Sequence, residues 1–303
     1  DRQPEFTQVD MELSFVDVDD VIAVNEKLLH RMFKEAIGID IPLPIPRMTW
    51  QEAMDRFGSD KPDTRFDMKL VDLSDIVKDC GFGVFADTVK NGGTVRAINA
   101  KGLSEKLTRK TLDKLVEFVK TYKAKGMAWL IVDENEIRGS IAKFFSPEEL
   151  QAIADKADAK AGDVILFVAD LKASVVYASL GALRCEIAKR FDLIPEGLFN
   201  LLWVTDFPLL EYDEEDNRYV AMHHPFTSPM QEDIALLAGR EWDELRFTLF
   251  MNMFDTFFTE NSVTKLWSLH SGTLSDELAS ETHRRKICRP VAAYEDDDSI
   301  KRS

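Results

Sequence analysis

Between residues 66 and 191 short strand-like and helix-like runs alternate, and no other feature narrows the fold as much. DVILFVAD (residues 163–170) is an apolar run of strand length and reads as a buried strand. Leu112, Leu115, Val116 and Val119 recur at helical spacing between Lys106 and Tyr122, an amphipathic helix. Val176, Leu180, Leu183 and Ile187 mark another helix, ending near Phe191. SPEELQAIADKA opens with Ser146 as N-cap and Pro147 at the first helical position. MAWLIVDE and TVRAINA read as strands, and VDLSDIVKDC as a helix. GFGVFADTV reads as a strand joined to TVRAINA by a hairpin at Asn91-Gly92-Gly93. Together these runs make a self-contained α+β module.

The flanks differ in character. EFTQVDMELSF (residues 5–15) alternates, which predicts a half-buried strand with Gln8, Asp10 and Glu12 opposite Val9, Met11 and Leu13. Phe6 shares the polar face, and such a face is ordinarily just solvated. Asp17, Asp19 and Asp20 favour the N-terminus of a helix with Val18, Val21, Leu28, Leu29 and Met32 as its apolar stripe. PLPIPR (42–47) ends that unit, a short helix follows near Thr49 to Phe57, and GSDKPDTR (58–65) is loop by composition. After DLIPEG come two long strand-like runs, LFNLLWVTDFPLLEY and RYVAMHHPFTSP, joined by an acidic turn at residues 213–217. The terminal YEDDDSIKRS is charged and expected to be disordered.

Several classes are excluded. Lys plus Arg is 38 against 54 Asp plus Glu, a net charge of −16, so there is no globally basic nucleic-acid footprint. A local basic patch remains compatible with that total. No apolar run approaches the roughly 18 residues of a membrane span. Cys80, Cys185 and Cys288 lie far apart, which argues against a zinc ribbon or disulfide scaffold and for a reducing cytoplasm. A length of 303 residues suggests about two domains. The opening at Asp1, without a signal-like stretch, reads as an internal fragment. Walker, GxGxxG, HExxH and serine-elbow motifs do not occur. Adjacent His223 and His224 on a strand point to opposite faces, so they do not converge on one metal, and no metal site is assigned.

DRQPEFTQVD (1–10), FGSDKPDTRF (57–66), LTRKTLD (107–113), AKF near Ala142, GALR (181–184), LWVTDFPLLE (202–211) and AMHHPFTSP (221–229) resemble the bacterial-type aspartyl-tRNA synthetases, class II aminoacyl-tRNA synthetases. The resemblance covers about residues 1–236 and implies an α+β fold. In it a class II antiparallel sheet with flanking helices is interrupted by an α+β insertion domain of the kind shared with the GatB/GatE-type amidotransferase subunit (GAD). It divides the chain into part of the catalytic domain (1–66), the insertion (67–195), the catalytic domain resumed (196–237) and an unassigned tail (238–303). It implies that Gln3 and Phe6 bind ATP, the phenyl ring stacking on adenine. Asp10 would pair with the ammonium of L-aspartate, His223 would contact its carboxylate, and His224 would line the pocket. GSDKPDTR divides evenly between a functional loop and a Gly/Pro/Asp junction.

The implied activity is adenylation of L-aspartate by ATP, with Mg²⁺, and transfer to tRNA, in a cytoplasmic enzyme without membrane association. The family is homodimeric. The family's arginine-bearing strands and first motif are not found in residues 1–303, so the expectation is a ligase fragment incomplete as a catalyst. The alternative is a non-catalytic synthetase-like or GatB/GatE-like protein that binds tRNA or a partner.

Overall fold

A computed structural model describes residues 9, 11–213, 215–222, 229–239 and 242–246. Helix α1 (Val18–Ile37) starts where the acidic run predicts. The Asp17 carboxylate accepts from the Asp19 and Asp20 amides, while the Asp20 carboxylate accepts from the Asp17 amide. Gly38, at φ 73°, ends it. Its buried face, Val21, Ile22, Asn25, Glu26 and Leu29, lies one position away from part of the predicted stripe. Glu26 explains the difference, because its Oε1 accepts both the Ile45 amide (3.0 Å) and the Trp203 indole N–H (3.1 Å). Those two bonds make a buried carboxylate tolerable beside Ile22, Leu29, Ile41 and Ile45. Strand β1 (Arg47–Thr49) follows, then α2 (Trp50–Phe57), capped by the Thr49 hydroxyl and ended by Gly58.

The middle of the chain builds one sheet. Its elements are β2 (Leu70–Asp72), α3 (Ser74–Val77), α4 (Gly83–Lys90), β3 (Thr94–Ala100), α5 (Arg109–Lys120), β4 (Ala128–Val132), β5 (Ile137–Gly139), α6 (Pro147–Lys156), β6 (Val164–Asp170) and α7 (Ala173–Arg190). The strand order is β2-β3-β6-β4-β5, with every neighbour antiparallel. Central β6 sends Val164, Leu166 and Val168 to the face covered by α5 and α7. It sends Ile165 and Phe167 to the face covered by α3, α4 and α6. Two-sided cover is why this strand is apolar from Val164 to Ala169.

Two local readings fail. Residues 83–90 are helix, not strand, so Asn91-Gly92-Gly93 is a helix exit rather than a hairpin. Phe82, Phe85 and Val89 follow a helical spacing, and Phe85 packs its ring 5.8 Å from that of Phe167. The run VDLSDIVKDC splits: Leu70–Asp72 pairs with β3, and helix is confined to Ser74–Val77 after Asp72 Oδ1 accepts the Ser74 amide at 2.9 Å.

Beyond α7 the chain returns as β7 (Trp203–Thr205), which pairs in parallel with β1, Arg47 opposite Trp203 and Thr49 opposite Thr205. The five-stranded unit therefore leaves and re-enters the chain beside one two-stranded ladder. The first long run predicted here is broken, while residues 223–228 of the second lie outside the described residues. Asp206, at φ 57°, ends β7, and β8 (Leu210–Asp213) turns back into β9 (Arg218–Ala221). Helix α8 (Ile234–Gly239) follows. In the predicted N-terminal strand, Val9 and residues 11–15 are not in a strand, and Phe15 turns at φ 59°; the remainder lies outside the described residues. The whole is a mixed α+β fold with an antiparallel sheet. No helix among the described residues is long and apolar enough to cross a membrane.

Candidate functional site

Gln3, Phe6, Asp10, His223 and His224 lie outside the described residues. Their surroundings are partly fixed. Met222, which precedes His223, donates its amide to the Leu209 carbonyl at 3.2 Å. Past the HHPFTSP segment the Met230 amide donates to the Arg246 carbonyl at 2.9 Å. Arg246 in turn grips buried Asp233 through Nη2 (2.7 Å), Nε (3.0 Å) and its own amide (2.9 Å). The Arg246 hydrogen bond holds the Asp233 carboxyl below its usual range.

Met222 also lines a cleft of about 530 Å³, together with Trp50, residues 58–63, Tyr122 and Arg184. Its floor is a backbone contact between the end of α2 and the middle of α7. A Cβ on Gly181 would lie 2.6 Å from the Gly58 carbonyl oxygen, and one on Gly58 would lie 2.4 Å from that of Tyr177. Gly58 also sits at φ 67°, so glycine is required there twice over.

Arg184 closes the floor. Only 1% exposed, it donates Nε to the Met68 carbonyl at 3.0 Å and Nη2 to the Phe66 carbonyl at 3.4 Å. Its guanidinium lies 4.2 Å from the centre of the Phe66 ring and 5.0 Å from that of Phe57. Burial pulls its pKa down, opposed by Cys185 and Asp63. Both ends of the GSDKPDTR loop are thus held by one side chain from α7. Within the loop Asp63 takes Arg65 as a two-pronged partner at 2.9 and 2.7 Å. Burial raises the Asp63 pKa, but the hydrogen bonds from Arg65 outweigh it and leave it lowered. Asn200, arriving from the return segment, donates to Thr64 Oγ1 at 2.8 Å.

A second polar cluster fastens α2 to the sheet. Asp55 accepts the Tyr177 hydroxyl at 2.6 Å, Arg96 Nη2 at 2.8 Å and the Gln51 amide at 3.0 Å. Arg96 also meets Asp72 at 3.2 Å and lies 4.9 Å from the centre of the Tyr177 ring. Burial, then the bond to Asp55, pushes the Tyr177 pKa up to about 12. Burial raises that of Asp55, yet Tyr177, Gln51 and Arg96 bring it below its ordinary value. These groups are paired with one another, so the junction positions rather than reacts. Among the described residues no three His, Cys, Asp or Glu side chains gather as a metal site. Sequence reasoning assigned no role to Arg184, Tyr177, Asp55 or Arg96. The available signal was an arginine set among Leu180, Leu183 and Ile187 on an apolar helix face.

Residues 1–260 match the family model described as tRNA synthetases class II (D, K and N). The chain belongs to this family. The match runs past residue 237, where the motif resemblance stops. An aspartate–tRNA(Asp/Asn) ligase of Lachnoclostridium phytofermentans is 60% identical over 238 residues, 78% of this chain and 40% of the relative. An aspartate–tRNA ligase of Ruminiclostridium cellulolyticum has the same identity and coverage. An aspartate–tRNA(Asp/Asn) ligase of Bacillus cytotoxicus is 56% identical over 237 residues, again 40% of its length. This class II synthetase chain thus spans about two fifths of the relatives it matches. Its motif-bearing segments FGSDKPDTRF and GALR are the two that meet at the junction, through Gly58 with Gly181 and Phe66 with Arg184.

Proposed function

We propose that the chain is a core part of an aspartate–tRNA ligase, which activates L-aspartate with ATP and transfers it to tRNA. The observation that carries this is identity of 55–60% to relatives bearing that name across 234–246 residues. In this reading Gln3 and Phe6 contact ATP, Phe6 by stacking on adenine. Asp10 pairs with the ammonium of the amino acid, and His223, as imidazolium, with its carboxylate; His224 lines the pocket. Catalysis of this kind rests on positioning and charge neutralisation rather than a side-chain nucleophile. Mg²⁺ is expected to accompany ATP, as the family implies, and no described residue is assigned to it. Residues 67–195 are taken as a GAD-type insertion within the catalytic domain, and a cytoplasmic homodimer is the expected setting.

The test is a chimera in which residues 1–238 replace the matched segment of a full-length relative. It should support pyrophosphate exchange dependent on aspartate. Exchange driven equally by lysine, or none at all, overturns the reading. In the same chimera His223→Ala should raise the KM for aspartate by about 10- to 150-fold, the equivalent of about 1.5–3 kcal/mol for a lost charge-assisted contact. The KM for ATP should change much less; equal losses would remove His223 from the aspartate site. Phe6→Ala should do the converse. The 303-residue chain alone is expected to exchange at least tenfold more slowly than a full-length homologue, since it carries about two fifths of such a protein.

A further inference from the structure

The chain is acidic overall, but its charge is segregated. Residues 101–125 hold eight basic residues against three acidic ones, a local +5 within a total of −16. All eight cations are exposed. Six of them lie in α5 and the turn after it (Arg109, Lys110, Lys114, Lys120, Lys123 and Lys125), where Leu112, Leu115 and Val119 pin the opposite side of α5 to the sheet and buried Ala124 anchors the turn. The cations of α5 therefore stand on its outward side. Arg109 is engaged by Asp113, Lys120 by Glu117, and Lys101 by Asp67 and Asp158. Lys106, Lys110, Lys114, Lys123 and Lys125 have no ion pair among the described residues. On the opposite sheet face α6 is acidic, with Glu148, Glu149 and Asp155 against Lys156.

Continuity with the cleft adds direction. Tyr122, 38% exposed and 5.4 Å from the Phe118 ring, sits between Lys120 and Lys123 and lines the same cleft as Met222. A polyanion lying along α5 would thus lead to the cleft that Met222 lines. An exposed aromatic flanked by lysines suits a nucleic-acid backbone with an unstacked base nearby, and the four cations of this surface without an ion pair among the described residues (Lys110, Lys114, Lys123 and Lys125) supply counterion release on phosphate binding.

We infer that the face formed by α5 and the turn at residues 121–125 is a docking surface for the sugar–phosphate backbone of tRNA. The inference deepens the ligase reading and rests on it for the choice of tRNA. It names the surface, which the family match does not.

The test is fluorescence anisotropy of the full 303-residue chain with a tRNA transcript from about 50 to 200 mM salt. Lys110→Glu/Lys114→Glu/Lys123→Glu alters only exposed side chains. It should weaken binding at least tenfold at the lowest salt and reduce the slope of log affinity against log salt by about 3, near one unit per phosphate contact. Lys78→Glu/Lys90→Glu/Lys143→Glu makes the same change in net charge on the other sheet face and should stay within twofold of the parent. Equal loss in both variants, no loss in the first, or no binding by the parent chain overturns the surface. Aspartate-dependent exchange in the chimera needs no tRNA. If exchange persists while the α5 variant binds normally, the surface alone fails; if exchange is absent while the charge variants behave as expected, the ligase assignment alone fails.

Discussion

Removing the Tyr177 hydroxyl should both destabilise the protein and erase part of its alkaline pH dependence. The phenol donates to Asp55 at 2.6 Å, a hydrogen bond to a charged group at the seam between α2 and the sheet. Bonds of that kind contribute about 1.5–3 kcal/mol, so Tyr177→Phe should cost that much at pH 8. The pH signature follows from linkage. In the unfolded chain tyrosine ionises near pH 10; in the fold burial and Asp55 push Tyr177 up to about 12. A group with a raised folded pKa adds stability that is fully present below the unfolded value and is lost as pH rises through the folded one. The window is therefore pH 10 to 12. A shift of about two units has a ceiling of about 2.7 kcal/mol, and solvent access to the phenol brings the expected loss to about 1–2 kcal/mol. Urea unfolding of both proteins at half-unit steps from pH 8 to 12 isolates this group, because every other titration is shared. The stability gap should be constant to about pH 10 and then narrow. A gap that stays constant to pH 12 would show that the fold does not hold the phenol protonated against Asp55.

Gly181→Ala should destabilise by about 1–3 kcal/mol in urea unfolding despite a gain in helix propensity of about 1 kcal/mol, because the new methyl meets only backbone at Phe57 and Gly58. Unchanged or higher stability would mean that the α2–α7 contact is loose. Glu26→Ala strands the Ile45 amide and the Trp203 indole N–H and should cost about 2–6 kcal/mol, at about 1–3 kcal/mol for each stranded donor, with Glu26→Gln costing less since one acceptor oxygen survives. Equal losses for the two variants would assign the effect to charge rather than to the two donors. Residues 67–195 expressed alone should unfold cooperatively, since all five strands of the larger sheet lie within them; a non-cooperative melt would put the boundary elsewhere.

The elements that local pattern identifies are those whose partners lie on their own face. Helix α6 begins at its Ser146-Pro147 cap, α7 ends at Arg190 just short of Phe191, and β6 is as buried as its apolar run implies. The reading of residues 83–90 failed because alternation and helical spacing coincide over so short a run, and packing of Phe85 on Phe167 decides between them. The first long strand expected after residue 198 breaks because a positive φ at Asp206 is a choice of backbone geometry that composition does not force, whereas the acidic turn at residues 213–217 falls between β8 and β9 as its composition implies.

The junction is less legible for a different physical reason. Arg184 contacts the Met68 carbonyl across 116 residues of sequence, and Tyr177 contacts Asp55 across 122. No local period encodes such pairings. What sequence does carry is the anomaly: an arginine on an apolar helix face must find acceptors when buried, or its desolvation goes uncompensated. The acceptors here are backbone carbonyls, which every residue has, so side-chain identities upstream give no hint of where they lie. Glycine supplies the complementary constraint, because Gly58 and Gly181 specify a close approach only once both are known to face each other. The GSDKPDTR loop therefore holds its shape through α7, a helix that begins more than 100 residues later. Any substitution that tilts α7 against α2 should move this loop, and with it the wall of the cleft that ends at Met222.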